Sequence, residues 1–359
     1  MTINHNKNTI AISQANGGKD LNKRARTTAA ITTAAITLSV AGCGITTATP
    51  AASPSSTGHK QYSIAFVPKL VGIPYFSAMD QGGQAAAKKF GARWIYEGPT
   101  TASVSGQAEY VRSLIQQHVS AVGVSANSPT ALDPLIKQAV NNHIMFYASD
   151  SNVSSPYNQL WVEQTRSQAL GYDVVDIAAR EMHDSGELAI ISAGPTATNL
   201  NTWIAYMKQR LKKYPNIQLL PIQYAGESIT GAEQIATRMI AAYPNLKGFI
   251  GVATTIPPGE AQAVVNAGKQ GKIIVTGVSD PNSVRQYLTS GVIKNVVLWN
   301  PINLGYLTVW GVLQKLEHHP FHTWNNVPGL GKVEYFPSRK MLLLGPPLII
   351  NKANDNLNF

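Results

Sequence analysis

Short runs of β-branched residues alternate with longer helical patterns from Tyr62 to the end of the chain, and this alternation constrains the fold more than any other feature of the sequence. Such alternation is typical of βαβ units wound around parallel sheets. A chain of 359 residues is long enough for two domains. We therefore predict two doubly wound, Rossmann-like α/β lobes. The predicted strands lie at 62–67, 92–96, 121–124, 144–147, 188–192, 217–223, 248–252, 273–276 and 293–298.

The segments between these strands have apolar residues at helical spacing. Ser77, followed three residues later by Asp80, predicts the start of a helix that ends at Phe90. Further helices are predicted at 104–118, 131–142, 168–182, 200–214, 230–243, 259–267, 282–289 and 304–316.

The first 43 residues have the organisation of an export signal. A polar, basic region (1–26) precedes an uncharged stretch (27–42) that is shorter than the ~20 residues needed to span a bilayer. The stretch ends in Val40-Ala-Gly-Cys43, which resembles a bacterial lipobox and would make Cys43, the only cysteine, the lipidated N-terminus. The alternative is an ordinary secretory signal with an incidental cysteine. Residues 44–60 are rich in Thr, Ala, Ser and Pro, which predicts a flexible tether.

The loops that follow the predicted strands are candidate binding loops, because ligands of doubly wound sheets bind outside the carboxyl ends of the strands. In this chain those loops combine aromatic rings with charged and amide side chains. Sugars prefer this mixture, since their hydroxyls form hydrogen bonds and their C–H faces pack on rings. Each residue alone could be a core or turn residue, but their coincidence at one end of the sheets favours a binding site. The candidates are Lys69, Tyr75, Phe76, Asp150, Asn199, Asn201, Trp203, Trp299 and Asn300.

Other function classes lack their sequence signals. The net charge of +10 is spread along the chain with no basic run after Arg26, which argues against nucleic-acid binding. No dinucleotide fingerprint, phosphate-binding loop or nucleophile elbow is present, so we expect neither an enzyme nor a cofactor. His318, His319 and His322 cluster beside Pro320, and we interpret them as solvated loop residues rather than a metal site.

Several strings resemble the periplasmic sugar-binding proteins, the type I solute-binding proteins of ABC importers. The similarity covers about residues 62–359 and is greatest to the autoinducer-2-binding and rhamnose-binding proteins. The strings that carry it are Ile64-Ala-Phe-Val-Pro-Lys-Leu-Val-Gly72, 97–107, 124–129, Leu298-Trp-Asn300 and 350–354.

The resemblance implies two lobes joined by three crossovers, which we expect near 161–164, 299–302 and Val333. Residues 61–162 and 301–332 would form the N-terminal lobe. Residues 163–300 and 333–359 would form the C-terminal lobe. The helix at 304–316 would then belong to the first lobe.

The autoinducer-2 pocket pattern is only partly kept in this chain. Lys69, Asp150 and Ala253 match the lysine, aspartate and alanine of the pattern. Its adjacent aspartate and glutamine align with Asn199 and Leu200, and its proline aligns with Gly251. A deoxysugar, a pentose or a related furanose is therefore at least as good a candidate ligand as autoinducer-2.

The resemblance also implies a mechanism, in which a small sugar-like ligand bridges the lobes and the closed form docks on an ABC transporter permease. Lys69 and Asp150 would bind hydroxyls, Tyr75 or Phe76 would cover a ring face, and Asn199, Trp203, Ala253 and Asn300 would complete the site. We expect a monomer, anchored by lipid on the extracytoplasmic face of the cell membrane. A receptor that signals rather than imports is the alternative. A sugar-responsive repressor would need a DNA-binding headpiece before residue 60, where the sequence predicts a signal and a tether instead.

Overall fold

The computed structural model describes residues 61–359, so the export signal, the lipobox with Cys43 and the tether lie outside the described residues. The first half of the described chain alternates strands and helices. In β1, Ile64 and Phe66 pack into one apolar cluster while Ala65 and Val67 pack into another, so both faces of the sheet are covered. The elements are β1 (Ser63–Val67), α1 (Pro74–Phe90), β2 (Arg93–Tyr96), α2 (Val104–Gln116), β3 (Ala121–Val124), α3 (Asp133–Asn141), β4 (Met145–Ser149) and β5 (Leu160–Glu163).

The middle of the chain repeats the same alternation. Local capping starts two of its helices: the Ser228 hydroxyl accepts a hydrogen bond from the Gly231 N–H at 3.0 Å, and the Asp280 carboxylate accepts one from the Ser283 N–H at 2.8 Å. The elements are α4 (Ser167–Glu181), β6 (Gly186–Ser192), α5 (Thr198–Leu211), β7 (Ile217–Leu219), β8 (Gln223–Tyr224), α6 (Ile229–Ala242), β9 (Leu246–Val252), α7 (Ile256–Asn266), β10 (Ile274–Val278), α8 (Pro281–Ser290) and β11 (Asn295–Leu298).

The last part of the chain returns to both sheets. Its elements are α9 (Pro301–Leu316), β12 (Trp324–Val327), β13 (Gly331–Phe336) and β14 (Met341–Leu343), followed by β15 (Leu348–Asn351). Within residues 61–359, no helix combines the length and the apolar character needed to cross a membrane.

Two sheets define two lobes and confirm the predicted fold class. The first sheet has the strand order β12-β13-β14-β5-β4-β3-β1-β2, and the second has the order β15-β11-β10-β9-β6-β7, with β8 also paired to β6. Both sheets are parallel at their centres. The antiparallel pairs are β12 with β13, β13 with β14, and β11 with β15.

Three crossovers connect the lobes. The chain leaves the first sheet after Glu163, returns after Leu298 and leaves again after Leu343. The expected third crossover near Val333 is therefore wrong, because β13 pairs with β12 and β14 in the first sheet. Residues 333–343 belong to the first lobe rather than to the second.

Helix α9 packs against α1, as expected for a helix of the first lobe. The two backbones approach so closely that a Cβ on Gly305 would lie 1.9 Å from the Met79 carbonyl oxygen, and one on Gly82 would lie 1.8 Å from that of Ile302. Glycine is therefore required on both helices. Helix α1 begins at Pro74 rather than at the predicted Ser77, because proline is well suited to the first helical position.

Candidate functional site

A cavity lies between the two lobes at the carboxyl ends of the strands. Its empty volume, which includes space open to solvent, is about 310 Å³. We call it the aromatic cavity. Its lining residues are Lys69, Ile73, Tyr75, Phe76, Asp150, Asn199, Leu200, Trp203, Glu227, Ala253, Thr254, Val278 and Trp299.

Asp150 is the polar centre of this cavity. It follows β4, is 2% exposed, and its carboxylate accepts hydrogen bonds from the Ser125 hydroxyl at 2.6 Å and the Tyr75 hydroxyl at 3.0 Å. Lys69 Nζ lies 3.7 Å from the same carboxylate, so the buried negative charge has a buried positive partner. Asp150 also adopts a positive φ of 69°, a conformation that costs free energy and is concentrated at functional sites.

Polar side chains connect the two lobes directly across the cavity. Lys69 of the first lobe donates a hydrogen bond to Asn199 Oδ1 at 3.0 Å, and Asn199 Nδ2 donates to Asp150 at 3.3 Å. A third bond runs from the Thr196 hydroxyl to the Asn127 carbonyl oxygen at 2.8 Å. The lobes are therefore closed on one another in this structure.

Four aromatic rings form the apolar wall. Tyr75 packs edge-on against Phe76 at 4.9 Å and against Trp299 at 5.8 Å between ring centroids, and Trp203 lies 5.6 Å from Trp299. Trp299 Nε1 donates to the Tyr75 hydroxyl at 3.2 Å, while Trp203 Nε1 is buried without a hydrogen-bond partner among the described residues. Burial, and next the charge of Asp150, raise the pKa of Tyr75 well above its usual value, so its hydroxyl stays a donor.

Glu227 is a cavity residue that the sequence prediction did not include. It follows the short strand β8, and Thr255 Oγ1 donates to its Oε2 at 3.4 Å. Burial raises the pKa of Glu227, and Lys69 partly offsets the increase. The sequence predicts a strand at 217–223 but no binding loop after it, whereas the structure divides this segment into β7 and β8 and places Glu227 just beyond β8.

Seven of the eight residues expected to form the binding site line the aromatic cavity: Lys69, Tyr75, Phe76, Asp150, Asn199, Trp203 and Ala253. Asn300 has another role, because its Oδ1 accepts a hydrogen bond from the Asn303 N–H at 3.0 Å and caps α9. Its neighbour Trp299 lines the cavity instead. Asn201 donates to the Pro195 carbonyl oxygen on the exposed side of α5.

The arrangement offers a small polyhydroxylated molecule both hydrogen-bond partners and ring faces. The cavity offers amine, carboxylate, amide and hydroxyl groups beside flat rings. Among residues 61–359, no group of three or more His, Cys, Asp or Glu side chains is placed to hold a metal ion.

The fold consists of two α/β lobes with a cavity between them, the architecture of a two-lobed binding protein. Residues 64–320 match the family model described as periplasmic binding protein domain, which covers more than half of the chain. The chain therefore belongs to the periplasmic binding protein family.

A curated relative agrees with this assignment. The D-allose-binding periplasmic protein of Escherichia coli (strain K12) is 24% identical over 249 residues, which span 67% of this chain and 80% of that protein.

Solved structures show the same fold. LsrB from Clostridium saccharobutylicum in complex with AI-2 has a TM-score of 0.79 at 22% identity and covers 83% of this chain and 100% of its own. An ABC transporter solute-binding protein from Clostridium phytofermentas with bound L-rhamnose has a TM-score of 0.78 at 24% identity. It covers 82% of this chain and 97% of its own. These similarities confirm the type I periplasmic binding protein fold.

Proposed function

We propose that this protein is an extracytoplasmic solute-binding lipoprotein that captures a small sugar or sugar-like ligand between its lobes and delivers it to an ABC transporter. The observation that carries the proposal is the aromatic cavity, in which a buried Lys69–Asp150 pair lies beside the rings of Tyr75, Phe76, Trp203 and Trp299. Several similar proteins are named for sugars, among them D-allose and L-rhamnose.

The proposed mechanism is hinge closure at the three crossovers. Lys69 and Asp150 bind ligand hydroxyls from the first lobe, and Tyr75 and Phe76 cover a ring face. Asn199, Trp203 and Ala253 approach from the second lobe. A ligand that contacts both lobes stabilises the closed form by its differential affinity for that form, and the closed form docks on the permease. Trp299, rather than the predicted Asn300, contacts the ligand from the second crossover, because Asn300 caps α9.

The ligand is a monosaccharide or contains a monosaccharide unit. The altered pocket pattern favours a deoxysugar or pentose. Asn199 and Leu200 stand where the autoinducer-2 pattern has an aspartate and a glutamine. A hydrogen bond lost to a buried ligand group costs about 1–3 kcal/mol, so this pocket would bind autoinducer-2 weakly.

Binding is tested by calorimetry and thermal shift on the purified full-length protein with L-rhamnose, D-arabinose, D-allose and autoinducer-2. We expect a sugar to raise the melting temperature, since it binds the native state. Lys69→Ala should abolish that shift, whereas Lys137→Ala, an exposed lysine on α3, should preserve it. Full affinity in Lys69→Ala would overturn the proposed site.

The membrane anchor is tested separately, because Cys43 lies outside the described residues. We propose that Cys43 is lipidated and that the protein is a monomer on the extracytoplasmic face of the cell membrane. Intact-mass analysis of membrane-extracted protein should give a chain that begins at a diacylated Cys43. A mature chain that begins at another, unmodified residue would refute the anchor and leave the binding proposal intact.

A further inference from the structure

A second and larger cavity lies between the lobes on the other side of Asp150 and Asn199. Its empty volume is about 1030 Å³, and it shares Asp150 and Asn199 with the aromatic cavity. We call it the crossover cavity, because the first crossover and the segment before the third form much of its wall. Its lining residues are Asp150, Asn152, Trp161, Glu163, Gln164, Arg166, Ser167, Gln168, Thr198, Asn199, Thr202, Tyr206, Phe336, Arg339, Met341 and Leu343.

Several polar atoms on the wall of this cavity are buried without hydrogen-bond partners. Within the described residues these are Gln164 Oε1, Thr198 Oγ1 and Trp161 Nε1, and Gln164 is only 1% exposed. Buried polar groups are almost always paired, because an unpaired one costs about 1–3 kcal/mol. Their side chains line the cavity, and rotation toward it would let the Gln164 acceptor, the Trp161 donor and the Thr198 hydroxyl each bond a ligand hydroxyl.

Aromatic rings and arginines complete the wall. The Arg339 guanidinium lies 5.1 Å from the centre of the Trp161 ring, and that of Arg166 lies 5.7 Å from the centre of the Phe336 ring. These contacts hold the arginine donors at the edge of the cavity.

The charge of the crossover cavity favours a neutral ligand. Arg166 is paired with Glu334 at 2.7 Å, Asp150 is paired with Lys69, and the remaining arginine, Arg339, is matched by the carboxylate of Glu163. A phosphate or carboxylate ligand would meet no excess positive charge there. Rings, amides and balanced charges are instead the lining that suits a sugar.

We propose that the ligand spans both cavities, with one sugar ring in the aromatic cavity and a second sugar unit in the crossover cavity. Asp150 and Asn199, which line both, would contact the ligand near the linkage between its units. The inference rests on the proposed function and deepens it by naming the ligand class as a disaccharide or a short glycoside. The adjacency of the two cavities supports it, because Asp150 and Asn199 line both.

The test compares sugars with their own disaccharides by calorimetry on the purified full-length protein. The pairs are L-rhamnose with rutinose, D-galactose with melibiose, D-glucose with isomaltose, and D-arabinose with an arabinose disaccharide. We expect one disaccharide to bind at least tenfold more tightly than either of its units. Thr198→Val, which keeps the side-chain shape and removes the hydroxyl, and Gln164→Leu should each remove most of that gain and leave monosaccharide affinity within about threefold.

A control variant and the alternative results make the test decisive. Thr237→Val, at an exposed position on α6, should change neither affinity, and melting temperatures show whether each variant is folded. A monosaccharide that binds as tightly as its disaccharide would overturn the inference and leave the proposed function standing. The inference would also be overturned if Thr198→Val and Gln164→Leu both fold and both keep the tighter binding of the disaccharide. Failure of every sugar to bind would overturn the proposed function, and the inference with it.

Discussion

Lys69 of the first lobe donates a hydrogen bond to Asn199 of the second, with 3.0 Å between Nζ and Oδ1. The other end of the same amide donates to Asp150 at 3.3 Å, so one side chain holds both members of the buried ion pair. Asn199 therefore links lobe closure to the charge arrangement of the site.

Replacing Asn199 should weaken both closure and ligand binding. Asn199→Leu removes an acceptor for Lys69 and a donor to Asp150, and hydrogen bonds to charged groups are worth about 1.5–3 kcal/mol each. Because two such bonds are lost, we expect sugar affinity to fall about 100-fold or more, measured by calorimetry. Small-angle X-ray scattering should show a more open protein. Asn201→Leu, on the exposed side of the same helix, is the control, and equal affinities in the two variants would contradict the argument.

Asp150 should contribute to binding by its charge and to stability by its backbone. Its φ of 69° is tolerated by Asn and Asp but costs other residues about 1–2 kcal/mol. Asp150→Asn and Asp150→Ala should both weaken sugar binding, by about 2–5 kcal/mol, because Lys69 loses its buried partner. Only the alanine variant should lose several further degrees of melting temperature.

A variant at Asp184 separates the effect of the side-chain charge from the effect of the positive-φ backbone. Asp184 also has a positive φ, 55°, but it is exposed and lines neither cavity. Asp184→Ala should lower the melting temperature and leave sugar affinity unchanged. Reduced affinity in Asp184→Ala would mean that backbone strain, rather than charge, explains the loss at Asp150.

Trp203 should report ligand entry. Its Nε1 is buried in the aromatic cavity without a partner, so a ligand hydroxyl can accept its hydrogen bond. We expect sugar to change the tryptophan emission, and Trp203→Phe to reduce both this change and the affinity, the latter about fivefold for one hydrogen bond. Trp324→Phe, at a 58% exposed position on β12, should retain the full signal. An unchanged response in Trp203→Phe would place the ligand elsewhere.

The contact of α1 with α9 should tolerate no extra atom. A Cβ on Gly305 would lie 1.9 Å from the Met79 carbonyl oxygen, so Gly305→Ala should destabilise the protein by about 1–3 kcal/mol or more. Gly345 has nothing within 4 Å of a Cβ, and Gly345→Ala should have little effect. Chemical denaturation measures both, and equal midpoints would show that the helices move apart without cost.

The α/β class and most of the helices and strands could be predicted from periodicity alone, because strands buried on both faces form clear apolar runs. The third crossover could not be predicted. β13 and β14 extend the first sheet beyond β5, with β14 parallel to β5 and antiparallel to β13, and nothing local distinguishes their sheet from that of β15. Strand pairing over a long sequence separation decides that choice.

Strand-end position identified most of the residues around the aromatic cavity, but it does not specify where a side chain points. Asn300 and Trp299 both follow β11, yet the amide caps α9 while the indole lines the cavity. Glu227 follows a strand of only two residues, which has no recognisable alternation. Loop conformation, which depends on the assembled lobes, determines both outcomes.

Glu260 on α7 should make stability depend on pH. Its side chain is fully buried, and neither carboxylate oxygen has a hydrogen-bond partner among the described residues. Burial raises its pKa well above the usual value of 4.5, so the folded protein holds a proton that the unfolded chain releases. The stability that this proton contributes is present below the unfolded pKa and is lost as pH rises through the folded pKa.

Glu260→Gln cannot ionise, so its melting temperature should exceed that of the unaltered protein at pH 8.5, and the difference should shrink or reverse at pH 5. Glu109→Gln, at an exposed position on α2, should show no such trend. A difference between Glu260→Gln and the unaltered protein that stays constant from pH 5 to pH 8.5 would mean that Glu260 keeps the same protonation state in the folded and unfolded chains.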